Sequence, residues 1–239
     1  MTLKQVNSLT NHAPEFDLAE MLEAGIHFGH QSAKWHPRMD EWIYMEKDGV
    51  HIFDLAKTAE QLRLAYNAAY ELGKTGKSLV VVGTKRQARE SIEEAAENHS
   101  VQYIVARWLG GLLTNWEQVK KSLKRMMDID EGLKTDKFKS YTKYERGQLE
   151  KEKIRLERFF SGIRNLKNSP DALFIIDTGK EKNALKEALS MGVFTIGLVD
   201  SNTNPDDVDL VIPGNDDGRK SIQYIVDVVL SGYEAGKKA

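Results

Sequence analysis

The feature that most constrains the fold is a set of short apolar runs without alternation between apolar and polar residues. Residues 79–82, Leu-Val-Val-Val, form the first of them. A strand with one face in water alternates, whereas a strand covered by helices on both faces is apolar throughout, as in parallel sheets. Four similar runs follow, at 101–105, 172–176, 193–199 and 210–212. Helical patterns at 84–98, 180–191 and 218–230 separate several of these runs, so the sequence predicts one doubly wound parallel sheet.

One interval, residues 108–169, is far longer than a crossover needs. Apolar residues keep helical spacing twice within it, at Val119, Leu123, Met126 and Met127, and again at Leu149, Ile154, Leu156 and Phe160. Both runs are highly charged, which favours two long antiparallel helices packed as a coiled-coil hairpin with its loop near 135–142. The expected domains are an α/β sheet domain with an N-terminal extension, residues 1–107 and 168–239, and a coiled-coil helical hairpin insertion, residues 108–167.

The N-terminal part has patterns of its own. Residues 17–24 predict a short helix, and the apolar runs 42–45 and 50–53 predict a β-hairpin with Gly49 at the turn. Residues 58–72 have helical spacing and end at Gly73, which is typical of a glycine that terminates a helix.

Composition limits the class of protein. With 41% hydrophobic residues the chain can bury a core, and the absence of cysteine excludes disulfides and thiolate metal sites. No apolar run approaches the roughly 20 residues that span a bilayer. The first eleven residues are polar and lack the apolar stretch of a secretory signal. We therefore expect a soluble cytoplasmic protein.

Charge is distributed unevenly along the chain. The net charge is −2, but residues 117–167 hold fifteen Lys and Arg against nine Asp and Glu, a balance of +6. The rest of the chain holds 19 basic and 27 acidic residues, a balance of −8. Such asymmetry suggests one surface for polyanions and another for a different partner. A solvated, salt-bridged helical face explains the charge of residues 117–167 equally well.

Two segments invite comparison with phosphate sites. Residues 73–78, Gly-Lys-Thr-Gly-Lys-Ser, superficially resemble a P-loop, but Glu71 stands where the first Gly is required and the segment precedes a strand. A linker turn is the better interpretation. Lys85, Arg86 and Arg89 open a helix at the carboxyl edge of the sheet, where doubly wound folds bind ligands. Basic residues there, in place of clustered acids, suit the phosphate of RNA or of a small molecule, although a solvated helix start is an equal alternative.

Histidines cluster near the N-terminus. His27, His30 and His36 lie in a polar and aromatic stretch whose spacing excludes an H-E-x-x-H metalloprotease site. A zinc or magnesium ion joining His30 to Asp200 or Asp216 is one hypothesis for them. Histidines that stack on RNA or form hydrogen bonds within a loop are the more ordinary interpretation.

Several segments together resemble one known family. They are MLEAGIHFGH at 21–30, WHPRM at 35–39, GVHIFDLAKT at 49–58, VGTKRQ at 82–87, RWLGGLLTN at 107–115, PDALFIID at 170–177, GLVDSN at 197–202 and IPGNDD at 212–217. In this order they resemble the small-subunit ribosomal protein two family from about residue 17 to residue 230. The chain departs from the family pattern at Phe194, where the family has Pro, at Ser161-Gly162, where it has Gly-Gly, and across 95–102. These departures affect packing and turns.

The resemblance implies a flavodoxin-like sheet domain with a protruding coiled-coil hairpin and a place between the head and body of the small ribosomal subunit. It implies binding to rRNA and to neighbouring ribosomal proteins, including the S-one protein that captures mRNA, and no catalysis. A ribosome-associated cytoplasmic protein that contacts no membrane and forms no homo-oligomer is expected. The alternative is a doubly wound enzyme or sensor that binds a phosphorylated small molecule at residues 83–86.

Basic side chains are expected to contact RNA phosphates, because A-form RNA hides its base edges in a deep groove. The expected RNA-binding residues are Lys34, Trp35, Arg38, Lys85, Arg86, Arg107, Lys120, Lys121, Lys124 and Arg125. Trp35, Trp108 and Trp116 could stack on bases, although packing in the core is the better prediction for Trp108. The acids within 200–217 and 90–97 are expected to face protein, metal or solvent, because contact with phosphate would be repulsive.

Overall fold

The computed structural model describes the backbone of residues 3–239 and the side chains of residues 5–135 and 137–239. The strands are β1 (Phe28–Gln31), β2 (Ile43–Lys47), β3 (Val50–Phe53), β4 (Leu79–Val82), β5 (Gln102–Ile104), β6 (Ala172–Ile176), β7 (Phe194–Val199) and β8 (Leu210–Pro213). The α-helices are α1 (Leu3–Val6), α2 (Leu18–Glu23), α3 (Leu55–Lys74), α4 (Arg86–Asn98), α5 (Trp116–Lys134), α6 (Lys143–Phe160), α7 (Lys182–Met191) and α8 (Arg219–Lys237). Within this part of the chain, no helix has both the length and the apolar character that a membrane crossing requires.

The predicted parallel sheet is confirmed. Its five strands lie in the order β5-β4-β6-β7-β8, and every neighbouring pair is parallel. One row of paired residues crosses the whole sheet: Tyr103, Val81, Phe174, Ile196 and Leu210. The five residues of β6 are all buried, as are the four of β4, because helices cover both faces. This is the reason that these runs lack alternation.

Three helices, α3, α4 and α8, cover one face of the sheet and share a core with it. Helices α3 and α8 make the most extensive contact between helices. Glycine allows their close approach, because a Cβ at Gly73 would collide with the backbone of α8, and a Cβ at Gly236 would collide with the backbone of α3. Helix α8 is longer than the predicted 218–230, and α3 begins three residues before the predicted 58–72.

The other face of the sheet is covered by α7, by the segment 106–115 and by the root of the helical hairpin. Val119, Leu123 and Met126 of α5 share a core with Val80 and Leu173 of the sheet. Phe160 and Ile163 join the same core from the end of α6 and the turn after it. The proposed boundary between a sheet domain and an insertion at residues 108–167 remains a prediction, and the root of the hairpin is part of the sheet domain's core.

Helices α5 and α6 run antiparallel, since Arg125 pairs with Glu152 and Ile129 packs near Leu149. Their connection, residues 135–142, is where the sequence predicts the loop, and it holds one 3₁₀ turn. Deep in the hairpin, the Asp130 carboxylate accepts contacts from Lys134 at 2.9 Å, Lys153 at 2.7 Å and Arg164 at 2.7 Å. These cations hold the pKa of the buried Asp130 well below its usual range through hydrogen bonds. Asp130 therefore ties α5, α6 and the segment after α6 together.

The N-terminal region contains a second sheet. Its strands are antiparallel in the order β1-β3-β2, and the predicted hairpin corresponds to β2 and β3. Strand β1 was not predicted, since its residues, Phe-Gly-His-Gln, are half-buried or exposed and have no apolar pattern. Gly29 in β1 has no room for a side chain, because a Cβ would meet the Ser201 hydroxyl and the His51 backbone. This strand brings His30 to the edge of the parallel sheet.

Candidate nucleic-acid interface

The carboxyl edge of the parallel sheet carries a charged cluster. We call it the edge cluster, and it consists of His30, Lys85, Asp177, Asp200, Asp216 and Asp217. Lys85 occupies the N-cap position of α4 without a capping side-chain hydrogen bond, and its Nζ lies 2.6 Å from Asp216 Oδ1, 2.6 Å from Asp217 Oδ1 and 3.3 Å from Asp177 Oδ2. The acids follow β6, β7 and β8, and the carboxyl ends of parallel strands meet at one edge. Four carboxylates thus share this edge with one lysine and one histidine.

Burial and mutual repulsion decide the ionisation of this cluster. Burial raises the pKa of Asp216 to about 7, and the neighbouring charges of Asp200 and Asp177 contribute to this shift. Burial alone would lower the pKa of Lys85, but the surrounding carboxylates outweigh it and hold that pKa well above its usual value. Lys85 therefore stays charged and neutralises the acids around it.

His30 is oriented by a carboxylate. Asp200 Oδ1 lies 2.9 Å from His30 Nδ1, and this hydrogen bond raises the pKa of His30. The other ring nitrogen, Nε2, lies 3.3 Å from Asp217 Oδ2. Histidines that bind a metal commonly donate one ring N–H to a carboxylate in this way, which leaves the other nitrogen as the ligand.

The sequence-based hypothesis of a cation joining His30 to Asp200 or Asp216 can be tested against this geometry. His30, Asp216 and Asp217 each offer a ligand atom, and these atoms lie within 4.8 Å of one another. Asp200 already accepts hydrogen bonds from the His30 and Ser201 amides, so it orients His30 and is not itself one of the three possible ligands. A histidine nitrogen with carboxylate oxygens suits zinc, whereas magnesium prefers oxygen ligands alone. The Lys85 ammonium supplies the positive charge that these acids need.

Basic residues follow β4, as the sequence shows, but clustered acids lie at the same edge of the sheet. The acids come from the ends of the other strands, and Lys85 is committed to them. Next to it, Glu181 accepts hydrogen bonds from the Thr84 amide at 3.1 Å and from the Thr84 hydroxyl. The turn after β4 is thus closed by a carboxylate, which would repel a phosphate. The alternative of an enzyme or sensor for a phosphorylated small molecule at residues 83–86 is not supported.

A second carboxylate organises the segment 107–115. Glu187 of α7 accepts hydrogen bonds from Trp108 Nε1 at 3.0 Å, from the Gly111 amide at 2.9 Å and from the Leu113 amide at 3.1 Å. Burial would raise the pKa of Glu187, but these donors outweigh it and lower that pKa. Trp108 is buried, as predicted, and the Glu187 carboxylate was not foreseen.

The expected RNA-binding residues fall into two groups. The first group forms ion pairs within the protein: Lys85 pairs with the acids of the edge cluster, Arg38 with Asp206 at 2.7 Å and Arg125 with Glu152 at 2.8 Å. Six others are exposed and form no ion pair or side-chain hydrogen bond with any residue whose side chain the structure describes. They are Lys34, Arg86, Arg107, Lys120, Lys121 and Lys124. We call these the free cations.

The three tryptophans expected near RNA differ in exposure. Trp35 is 37% exposed and meets the ring of His51 edge-on. Trp116 is half-buried against the core on the hairpin side of the sheet. Trp35 is therefore the tryptophan of the three with an accessible ring.

Fold and site together define a class: a doubly wound α/β protein whose usual ligand edge is closed by its own ion pairs and which presents exposed cations on a helical hairpin. Residues 21–236 match the family model of ribosomal protein S2. The chain belongs to the ribosomal protein S2 family.

The relatives agree with this assignment. The small ribosomal subunit protein uS2 of Bdellovibrio bacteriovorus is 42% identical over 221 residues, which cover 92% of this chain and 71% of the relative. The uS2 protein of Cereibacter sphaeroides is 44% identical over 216 residues, covering 90% of this chain and 86% of the relative. That of Jannaschia sp. is 42% identical, with 90% and 78% covered.

Proposed function

We propose that this chain is a structural constituent of the small ribosomal subunit and acts in translation by binding rRNA and neighbouring ribosomal proteins. The observation that carries the proposal is the match to ribosomal protein S2 across residues 21–236, nearly the whole chain. The closed carboxyl edge agrees with a binding role and with the absence of catalysis that we propose. Location on the ribosome, in the cytoplasm, follows from that role.

For the RNA contacts, we propose that the free cations approach the phosphate backbone. Each is exposed, and none has to break an ion pair with a described side chain before it contacts phosphate. Lys34 lies next to the exposed ring of Trp35, so this part of the chain can combine a phosphate contact with stacking. Lys85, Arg38 and Arg125 would first have to leave a carboxylate, and for this reason they are weaker candidates.

For the protein contacts, we propose the S-one protein and other small-subunit proteins as partners of the acidic part of the chain, and a monomer as the form that enters the subunit. Several acids of 200–217 have internal roles, since Asp206 pairs with Arg38 and Asp209 accepts hydrogen bonds from Thr195. The exposed acids Glu93 and Glu94 of α4 form no ion pair with any described side chain and are better candidates, whereas Glu97 is hydrogen-bonded to Tyr103.

Sedimentation tests this function directly. A tagged copy expressed in cells should migrate with small ribosomal subunits in a sucrose gradient and should co-purify with rRNA. A protein that stays at the top of the gradient, and that binds a nucleotide or sugar phosphate when purified, would contradict the proposal. Retention of the S-one protein on subunits that lack this chain would contradict the partner assignment alone.

A further inference from the structure

The outward face of α6 carries a row of cations that the sequence pattern did not single out. Lys151, Arg155 and Arg158 are exposed, and Tyr144 is 75% exposed. At 100° per residue, these four side chains lie within about 60° of arc and extend over about 21 Å of helix. They lie opposite Leu149 and Phe160, which are buried. We call these four residues the α6 stripe.

The acids of α6 either have partners within the protein or lie on another side of the helix. Glu145 accepts hydrogen bonds from the Thr142 amide and hydroxyl in a capping box, Glu152 is held by Arg125, and Glu157 lies 3.4 Å from Lys153 Nζ. Glu150 is exposed but lies about 100° around the helix from Lys151. In contrast, Lys151 and Arg155 form no ion pair with any described side chain. Arg158 likewise has no ion pair among the described side chains, and its guanidinium lies over the ring of Phe159, 5.6 Å from the centroid.

The outward face of α5 is different. Its free cations Lys120, Lys121 and Lys124 share the exposed surface of the helix with acids. Glu117 precedes Lys121 by four residues, and Asp128 follows Lys124 by four, a spacing at which opposite charges on a helix attract. Glu131 is exposed on the same helix. Three positive and three negative charges cancel there, whereas the α6 stripe is of one sign.

We infer that the α6 stripe is the principal RNA-backbone contact of the hairpin, with Tyr144 positioned to stack on an exposed base at its distal end. This inference rests on the proposed function. Closely spaced cations along one helix suit a line of phosphates, and arginine binds phosphate through two nitrogens at once. An acidic protein is a poorer fit, because protein interfaces centre on apolar groups and the middle of this stripe is Lys151 and Arg155.

The experiment compares three full-length variants, each with three cations replaced. The stripe variant is Lys151→Gln/Arg155→Gln/Arg158→Gln, the α5 variant is Lys120→Gln/Lys121→Gln/Lys124→Gln, and the sheet control is Lys74→Gln/Lys182→Gln/Lys186→Gln. All nine side chains are exposed. Binding to purified small-subunit rRNA is measured over a range of KCl concentrations, and thermal unfolding checks each fold. The single variant Arg155→Gln serves if the triple variant is unstable.

Each lost phosphate contact should reduce the log–log salt slope by about 0.7 to 0.9. We expect a loss of about 2 to 3 in slope for the stripe variant, about 1 or less for the α5 variant and none for the sheet control. Arg155→Gln should lose about one contact. Replacing Tyr144 with Leu should weaken binding without changing the slope.

An unchanged slope in a folded stripe variant, or an equal loss in the α5 variant, would overturn the inference. If the stripe variant binds rRNA normally but no longer enters subunits, the stripe contacts a protein, which also overturns it. If the unaltered protein neither binds rRNA nor sediments with subunits, the proposed function itself fails.

Discussion

The edge cluster and the hairpin use charge in opposite ways. At the edge cluster, acids outnumber bases, and Lys85 forms ion pairs with three carboxylates. In the hairpin, bases outnumber acids, and the acids Asp130, Glu145 and Glu152 form ion pairs or hydrogen bonds within the protein. The edge cluster therefore keeps a surplus of acid, whereas the hairpin offers unpaired cations to an external partner. A count of charges along the sequence reveals the positive excess of the hairpin, but only the ion pairs in the structure show which cations are available to a partner.

The largest effect is expected at the edge cluster. Replacing Lys85 with Met leaves Asp177, Asp216 and Asp217 without their shared cation, and Asp216 is almost fully buried. Removing one partner of a buried pair costs about 3 to 5 kcal/mol, and we expect about 3 kcal/mol here because Asp217 is half-exposed. Urea unfolding at pH 8 measures this loss in the free energy of unfolding.

The same variant has a predictable pH dependence. The pKa of Asp216 is already raised to about 7, above its value in the unfolded chain, and losing Lys85 raises it further. A folded state that binds the proton more tightly gains stability as the pH falls. We expect Lys85→Met to recover about 1 to 2 kcal/mol between pH 8 and pH 6. If Lys85→Met lowers the free energy of unfolding equally at pH 8 and pH 6, the loss of Lys85 has not raised the pKa of Asp216 further.

In the hairpin, the matching substitution removes an acid. Asp130→Asn should destabilise the protein by about 2 to 3 kcal/mol, because three cations lose one buried carboxylate. The cost is lower than at the edge cluster because the side chains of Lys134 and Arg164 are 69% and 44% exposed and regain water. Since the pKa of Asp130 is lowered, this stabilisation is present at neutral pH and is lost only in strong acid.

Asp128→Asn is the control on the same helix. Asp128 is half-buried and has no ion pair among the described side chains, so the change should stay within about 0.5 kcal/mol. Chemical denaturation of both variants decides the point. Equal costs for the two would mean that the three cations around Asp130 contribute nothing specific.

The smallest change in stability is expected at an exposed ion pair of the hairpin. Glu152→Gln breaks the exposed pair with Arg125 and should cost only about 0.5 kcal/mol. It also frees a cation on the hairpin, so the salt slope for rRNA should steepen by up to about 0.9. A slope that does not change would place Arg125 away from the RNA.

The strands were well predicted because burial on both faces leaves a signal in each of them. Residues 172–176 were predicted with the observed bounds of β6, and 210–212 differ from β8 by one residue. Strand β1 has no such signal, since its Phe28 is 49% exposed and its pairing with β3 depends on distant contacts. The hairpin helices were found because their apolar spacing is periodic, but nothing periodic shows that Val119 and Leu123 pack on the sheet.

The sites were harder to predict because they combine side chains from distant segments. Asp177 and Asp200 each follow a predicted strand directly, which would have placed them at one edge had the strand ends been compared. Glu187 lies on a helix among other charged residues, and only the folded chain brings it to the amides of residues 111 and 113. The availability of a cation depends on such partners, so Lys85 and Lys120 look alike in the sequence and differ in the structure.

The packing of α8 has a consequence for the order of events during synthesis. This helix is made after every strand that it covers, yet it closes the face of the sheet that α3 and α4, from the first half of the chain, begin to cover. A chain emerges with its N-terminus first, so the apolar sides of β4, β6 and β7 remain partly uncovered until α8 has emerged. The packing of this face is therefore completed only after the synthesis of α8. A chain truncated before residue 219 would keep this side of its core open.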